Sequence, residues 1–282
     1  MTLPVIPKFP LARLLDVGLN WLTLHLAFIT RAVASVVGGI IDGITAGLTW
    51  LPPWALIVIV GLLAWRAAGR RVAIWSVLGL AFLWNLRLWD ATVSTFTLVL
   101  ISTLIAVGIG LPIGIAAALS KRTGKVVMPV LDFMQTMPAF VYLIPAIPFF
   151  GLGAVSASVA TVIFSTPPAI RLTILGINQV PHDLIEAADA FGSTRRQKLF
   201  KVQLPMALPT IMAGVNQTIM LALSMVVIAA MIGAGGLGGE VWRAIQRLEP
   251  GKGFTAGIAI VILAMVLDRI TQRIGRRKEV AR

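Results

Sequence analysis

Apolar residues run in long stretches along this chain, and polar residues gather in short clusters between them. A helix needs about 20 mostly apolar residues to cross lipid, because hydrocarbon offers no partner to backbone groups left outside a helix. Stretches 51–65, 72–88, 91–119, 128–151, 155–176, 207–232 and 254–270 meet or approach that demand, the first being short. Ahead of them, "GLNWLTLHLAFITRAVASVVGGIIDGITAGL" repeats Leu19, Leu22, Leu26, Ile29, Val33, Val36 and Ile40 at alternating threes and fours. Asn20, Arg31, Ser35 and Asp42 fall on other faces. This pattern predicts an amphipathic helix in the membrane interface, with an eighth span as the competing reading.

The last five spans surround one charged, helix-prone break, "VPHDLIEAADAFGSTRRQKLFKVQLP", residues 180–205. Asp183 with Glu186 has the spacing of a capping box, and Gly192 stands where a left-handed helix end is least strained. Thr194 with Gln197 repeats the box and opens a second helix, which is expected to stop near Pro205 because proline cannot donate to the helical ladder. Ala187, Ala188 and Ala190 keep the first helix thin, while Leu184, Ile185 and Phe191 offer apolar contacts and Glu186 a charge. Such a helix suits a groove on a partner protein. An ordinary solvated connection with capped helices accounts for the same residues.

Basic residues orient the spans, since short loops rich in Lys and Arg stay cytoplasmic. Alternate connections carry Arg66, Arg70 and Arg71; Lys121, Arg122 and Lys125; Arg195, Arg196, Lys198 and Lys201; and Arg273, Arg276, Arg277, Lys278 and Arg282. The other side holds Arg87, Arg243, Arg247 and Lys252. The charged loop and the C-terminus are therefore expected in the cytoplasm. Composition agrees with an all-α integral membrane protein: 58% of the 282 residues are hydrophobic and 12% charged, with a mean hydropathy of +0.93. The net charge of +13 sits at helix ends without an aromatic-basic platform, which argues against nucleic acid. Zero cysteines and two isolated histidines, His25 and His182, leave no thiolate or ligand cluster, so no metal, cofactor or catalytic residue is expected. Prolines interrupt the opening "MTLPVIPKFPLARLLD" where a signal peptide would be apolar, so the N-terminus is expected to be retained.

The stretch "EAADAFGSTRRQKLFKVQLP" resembles the EAA loop of permease subunits of ATP-binding cassette (ABC) importers: E-A-A, three residues, G, nine residues, I-x-L-P. Glu186, Ala187, Ala188, Gly192, Leu204 and Pro205 match in register, and Val202 stands in for the isoleucine. "LDFMQTMPAFVYLIPAIPFFGLG" from Leu131 and "GVNQTIMLALSMVVIAAMIGAGGLG" from Gly214 are similar to stretches of the glycine betaine/proline betaine permeases. The resemblance covers residues 89–282 and implies a type I ABC importer permease fold in a bacterial inner membrane. That fold would have a five-helix core, N-terminal extra helices bringing the total to about seven spans, and the interfacial helix. The implied division is an N-terminal tail and amphipathic segment over 1–50, two accessory helices over 51–88, and the core with its coupling loop beyond. It also implies partners: two copies of an ATPase subunit whose grooves take the EAA helices, an extracytoplasmic substrate-binding protein, and a second copy of this chain, all set in membrane lipid. The implied cargo is a quaternary-ammonium osmoprotectant; choline, carnitine and amino acids are alternatives.

The chain has no G-x-x-x-x-G-K-[ST], since "GKG" at Gly251 lacks the spacing and the hydroxyl, so a partner would supply ATP hydrolysis. An ion-coupled carrier is the rival. It usually needs ionisable groups at mid-membrane, yet no Asp or Glu lies between Asp132 and Asp183 or between Asp189 and Glu240. Gln135, Thr136, Asn216 and Gln217 place polar groups in apolar helices, where they line a substrate path or bond neighbouring helices. Pro138, with Pro145 and Pro148, offers kinks, and Tyr142 is the one tyrosine. These six positions, Gln135, Thr136, Pro138, Tyr142, Asn216 and Gln217, are the path candidates. With the eight tryptophans mostly in the N-terminal third, no aromatic cage for an ammonium group is visible, and selection is left to the binding protein. "GAGGLGG" from Gly233 reads as a flexible outer loop or a close-packed re-entrant turn.

Overall fold

The computed structural model describes residues 10–280, and among these no strand forms. Pro4 and Pro7 of the N-terminal stretch and the chain's last two residues lie outside them. Two helices, α1 (Leu11–His25) and α2 (Ala27–Trp50), replace the single interfacial helix of the sequence pattern. The second is 24 residues long and apolar enough to cross a membrane, so its length favours the spanning alternative. It lies against the outside of the core, with Val155 3.4 Å from where a Cβ on Gly38 would stand.

A hairpin follows, α3 (Pro53–Ala68) and α4 (Arg70–Asn85), turned at Gly69 with φ +91°. At 16 residues each helix rises about 24 Å, less than the roughly 30 Å of hydrocarbon, so this pair falls short of the two full spans expected. Four further segments are long and apolar enough to cross: α5 (Trp89–Leu119), α8 (Ala154–Asn178), the helical run Arg195–Ala230, and Pro250–Gln272 within α13 (Pro250–Val280).

The predicted span 128–151 is not one helix. It divides into α6 (Lys121–Thr136), a 3-10 turn at Ala139–Tyr142 and α7 (Leu143–Phe150), the two parts meeting at 110°. The cause is local. A proline ring excludes the α conformation from the residue before it, and Met137 is extended at ψ 133° ahead of Pro138. Pro145 and Pro148, by contrast, ride inside α7.

At the centre, α8 packs between α5 and α11 (Leu204–Ala230). Small residues let these backbones approach, as membrane packing without a hydrophobic driving force requires. A Cβ on Gly114 would sit 2.6 Å from Thr173 Cβ and 2.9 Å from the Ile170 carbonyl oxygen. Ser102 on α5 and Ser158 on α8 share a buried 3.0 Å hydrogen bond across the same seam. Toward one end, Tyr142, Ala146, Ala157, Met225 and Ala229 join the bent segment to α8 and α11.

"GAGGLGG" is the close-packed alternative. It leads into α12 (Gly236–Gln246), where Leu237 is fully buried and its backbone N–H donates to Thr95 Oγ1 at 2.8 Å. Gly153 N–H donates to the Ile232 carbonyl at 2.8 Å, fastening the turn to the start of α8.

Candidate functional site

The charged loop opens with α9 (His182–Ala190), whose N-cap is Pro181. The helix thus starts before Asp183, which lies in its first turn and caps nothing, and the expected Asp183–Glu186 box does not form. Pro181 brings its fixed φ of −53°, and its carbonyl accepts from Leu184 N–H at 3.2 Å, so the helical turn is entered early. Glu186 instead lies 3.0 Å from His182 Nδ1, one turn back.

The far end of α9 follows the sequence. Ser193 N–H donates to the Ala188 carbonyl at 3.0 Å and Gly192 N–H to Asp189 at 2.9 Å, the paired bonds of a Schellman motif. Gly192 takes φ +71°, a left-handed conformation that costs a side chain roughly 1–2 kcal/mol. The Thr194–Gln197 box is complete and opens α10 (Arg195–Lys198). Lys198 Nζ bonds both oxygens of Asp189, at 2.6 and 2.7 Å, tying the two short helices across the glycine.

Pro205 does not stop the second helix. A π turn at Leu199–Gln203 joins α10 to α11, and Leu204 N–H reaches back five residues to the Leu199 carbonyl. The wider turn changes the pairing just ahead of the proline, whose ring and missing N–H then fall in the first turn of α11. Leu204 packs on Ile177, Ala207 and Ile211. Ala188 is buried, Ala187 and Glu186 are exposed, Leu184 in the first turn of α9 is partly exposed, and Phe191 at its C-cap stands 91% exposed.

Among the path candidates, Gln135 and Gln217 line one cavity of about 340 Å³ between α6, α8 and α11, together with Met134, Phe164 and Leu221. Tyr142 adjoins it: the ring meets Phe164 edge-on at 5.8 Å, and the hydroxyl donates to the Met134 carbonyl. Pro138 makes the bend described above. Thr136 is exposed and its hydroxyl turns back to the Phe133 carbonyl at 2.9 Å. Asn216 points elsewhere. Its amide donates to Asp268 Oδ1 at 2.8 Å and its carbonyl accepts from Thr271 at 3.3 Å, joining α11 to α13.

The cavity also holds a residue to which the sequence reading gives no role. Arg171 on α8 donates to Asp132 Oδ1 on α6 at 2.7 Å. An arginine within "PPAIRLTIL" was the available signal, because an ionisable group inside a span is costly and marks a working site.

Comparison with known proteins agrees with this architecture. Residues 110–280 match the family described as binding-protein-dependent transport system inner membrane component. The chain is 50% identical to the glycine betaine transport system permease protein OpuAB of Bacillus subtilis, over 97% of each chain. It is 51% identical to the glycine betaine/carnitine transport permease protein GbuB of Listeria monocytogenes, over 98% of this chain and 99% of that one. With the glycine betaine/proline betaine transport system permease protein ProW of Escherichia coli it shares 49% over 95% of this chain and 75% of the other. A chain of the MetNI methionine ABC transporter, in an inward-facing form, superposes with a TM-score of 0.61 at 24% identity, covering 66% of this chain and 93% of its own. That likeness establishes a shared fold, the type I ABC importer permease. The match over most of the chain and the near-full-length identities lead to one conclusion: this multi-pass membrane protein belongs to the family of binding-protein-dependent transport system inner membrane components.

Proposed function

We propose that this chain is the membrane-spanning subunit of an ATP-driven importer of glycine betaine- and proline betaine-type osmoprotectants. The carrying observation is the 50% identity, over 97% of both chains, to a permease named for glycine betaine transport. Carnitine is the second cargo to test, since it appears in the name of an equally similar relative.

In this reading Glu186, Ala187, Ala188 and Gly192 form the docking end of the loop, with Leu204 and Pro205 fixing it to α11. Phe191 and Leu184 support a protein partner there, because exposed apolar side chains beside a thin, alanine-rich helix match a groove better than water. The partner is a separate ATPase, present twice, and the loop and C-terminus face the cytoplasm. A binding protein delivers cargo on the other side. Residues 89–282 act as the core, 51–88 as an accessory hairpin and 1–50 as a peripheral segment.

A second copy of this chain completes the path. Gln135, Gln217 and Asp132 are exposed on one face of α6 and α11, and lipid cannot solvate such groups at span depth. A two-fold partner facing them would enclose a polar route between the copies. Two differently tagged forms of this chain, co-expressed, are expected to purify together; complexes that always hold one copy beside a different permease would overturn the pairing.

The importer itself is tested in vesicles containing this chain, a cognate ATPase and the binding protein. Glycine betaine uptake is expected to require ATP and to ignore dissipation of sodium and proton gradients. Uptake that follows an ion gradient without ATP would reject the reading, and running carnitine, choline and amino acids alongside assigns the cargo.

A further inference from the structure

We propose that Arg171 and Asp132, flanked by Gln135 and Gln217, form a low-affinity site inside the permease that receives a zwitterion. The cargo carboxylate meets the Arg171 guanidinium, and the cargo ammonium turns toward Asp132. The inference rests on the betaine reading above and concerns residues outside the coupling loop.

The first observation is cost. Arg171 follows the buried run Thr166, Pro167, Pro168, Ala169 and Ile170 within a helix long and apolar enough to cross a membrane, so a guanidinium is carried inside a span. Ionised groups at such depth persist when they are paired and when they line a polar route. The second is how little of the pairing capacity is used. Arg171 has one contact with Asp132, while its Nε is sealed from solvent with no acceptor. A guanidinium can hold a carboxylate through two parallel N–H bonds, so this single-point contact leaves most of the fork unmatched.

The third observation is access. The Arg171 side chain is 37% exposed and that of Asp132 63%, and Arg171 faces the cavity of about 340 Å³. That volume lies near the lower end for small-molecule pockets. Gln135 and Gln217 bring amides to it and Phe164 an aromatic ring, the one such ring among the described residues that line this cavity. One face attracts a quaternary ammonium weakly. Weak binding suits a station that must let cargo go.

Charge decides the ligand class. A zwitterion entering the Arg171–Asp132 pair gives each side chain a replacement counter-charge, so neither is left alone in a poorly solvating cleft. A cation such as choline compensates Asp132 and strands Arg171. An anion such as acetate does the reverse. The pair is therefore a filter for molecules carrying both charges, placed after the binding protein in the route. Asp268 does not compete, since it is held by Asn216 and Gln272 between α11 and α13.

The test uses this chain assembled with its ATPase in lipid nanodiscs, without the binding protein, and saturation-transfer NMR with glycine betaine, choline and acetate as probes. Glycine betaine is expected to bind in the millimolar range, with choline and acetate about tenfold weaker, a gap of about 1.4 kcal/mol. Arg171→Gln is expected to abolish the betaine signal and Arg171→Lys to keep part of it. The double change Arg171→Gln with Asp132→Asn removes both charges together, leaves none uncompensated, and is expected to insert and assemble with the ATPase yet bind no betaine. Equal signals from the three probes, no betaine signal from the unmodified chain, or an unchanged signal in either glutamine variant would overturn the site. Uptake by the unmodified transporter, measured in parallel with the binding protein present, separates the two readings. If uptake fails, the betaine assignment falls; if uptake is intact without permease binding, only this site falls.

Discussion

Replacing Gly192 with valine is expected to lower ATP-driven uptake by about tenfold or more while the chain still inserts and assembles. The position needs a left-handed backbone, at φ +71°, and a β-branched side chain resists that conformation most. Nothing lies within 4 Å of where its Cβ would stand, so the penalty comes from the backbone and not from a clash. Roughly 1–2 kcal/mol of strain acts on a joint between two short helices, where a change of φ re-aims α9 and with it Glu186 and Phe191. Strain of that order corresponds to about a tenfold shift in the properly aimed population. Asparagine tolerates left-handed backbone, so uptake is expected to rank glycine, asparagine, alanine, valine. Uptake and ATPase activity measured together in vesicles check this. A valine variant that transports as well as the unmodified protein would make the loop an ordinary connection.

Gly238→Val is expected to have the largest effect on the fold. A Cβ there would lie 2.3 Å from the Val226 carbonyl oxygen and 2.7 Å from its carbonyl carbon, both backbone atoms of α11. Neither can rotate aside as a side chain would, so α12 must lift away from α11 or the helix must bend. Overpacking of this kind costs about 1–3 kcal/mol where side chains can adjust, and backbone against backbone belongs at or above the upper end. The variant should be depleted from the membrane fraction, and what remains should unfold at a markedly lower temperature in detergent. Gly239→Ala is the control, because no atom lies within 4 Å of its Cβ. Matching melting curves for Gly238→Val and the unmodified chain would remove the close approach as a structural requirement.

What the sequence revealed divides along physical lines. Signals carried by a single backbone requirement came through: Gly192 at the helix end, Thr194 with Gln197 at the next start, and the long apolar runs of α5, α8 and α11. The first two depend on neighbours within a turn, and the third on the hydropathy of a whole run. Signals that required a choice between overlapping local rules did not. Asp183 and Glu186 have capping-box spacing, yet Pro181 starts the helix first and moves Asp183 inside it. Pro205 reads as a stop, yet a π turn ahead of it carries the helix through. The run 128–151 is apolar enough for one span, but Met137 before Pro138 bends it by 110°. Partnerships across the fold were out of reach. No spacing rule pairs Asn216 with Asp268, 52 residues away, or aims Arg171 at Asp132, 39 residues away.

The π turn at Leu199–Gln203 makes the loop and a spanning helix one mechanical body. From Arg195 to Ala230 the backbone is helical throughout 36 residues, roughly 54 Å of rod at 1.5 Å per residue. The apolar run begins at residue 207, so Arg195–Met206, roughly 18 Å of the rod, precedes it as a handle. The wide turn sits on the handle side, where one more residue is wound in than an α-helix would hold. Tightening it to α geometry would turn the rod by about 100°, one residue's worth of winding, relative to α9 and Asp189. A change of winding at this turn would therefore rotate α11 relative to α9. Gln217 stands at the middle of α11 and lines the cavity, so such a rotation would carry its amide past Phe164 and Arg171.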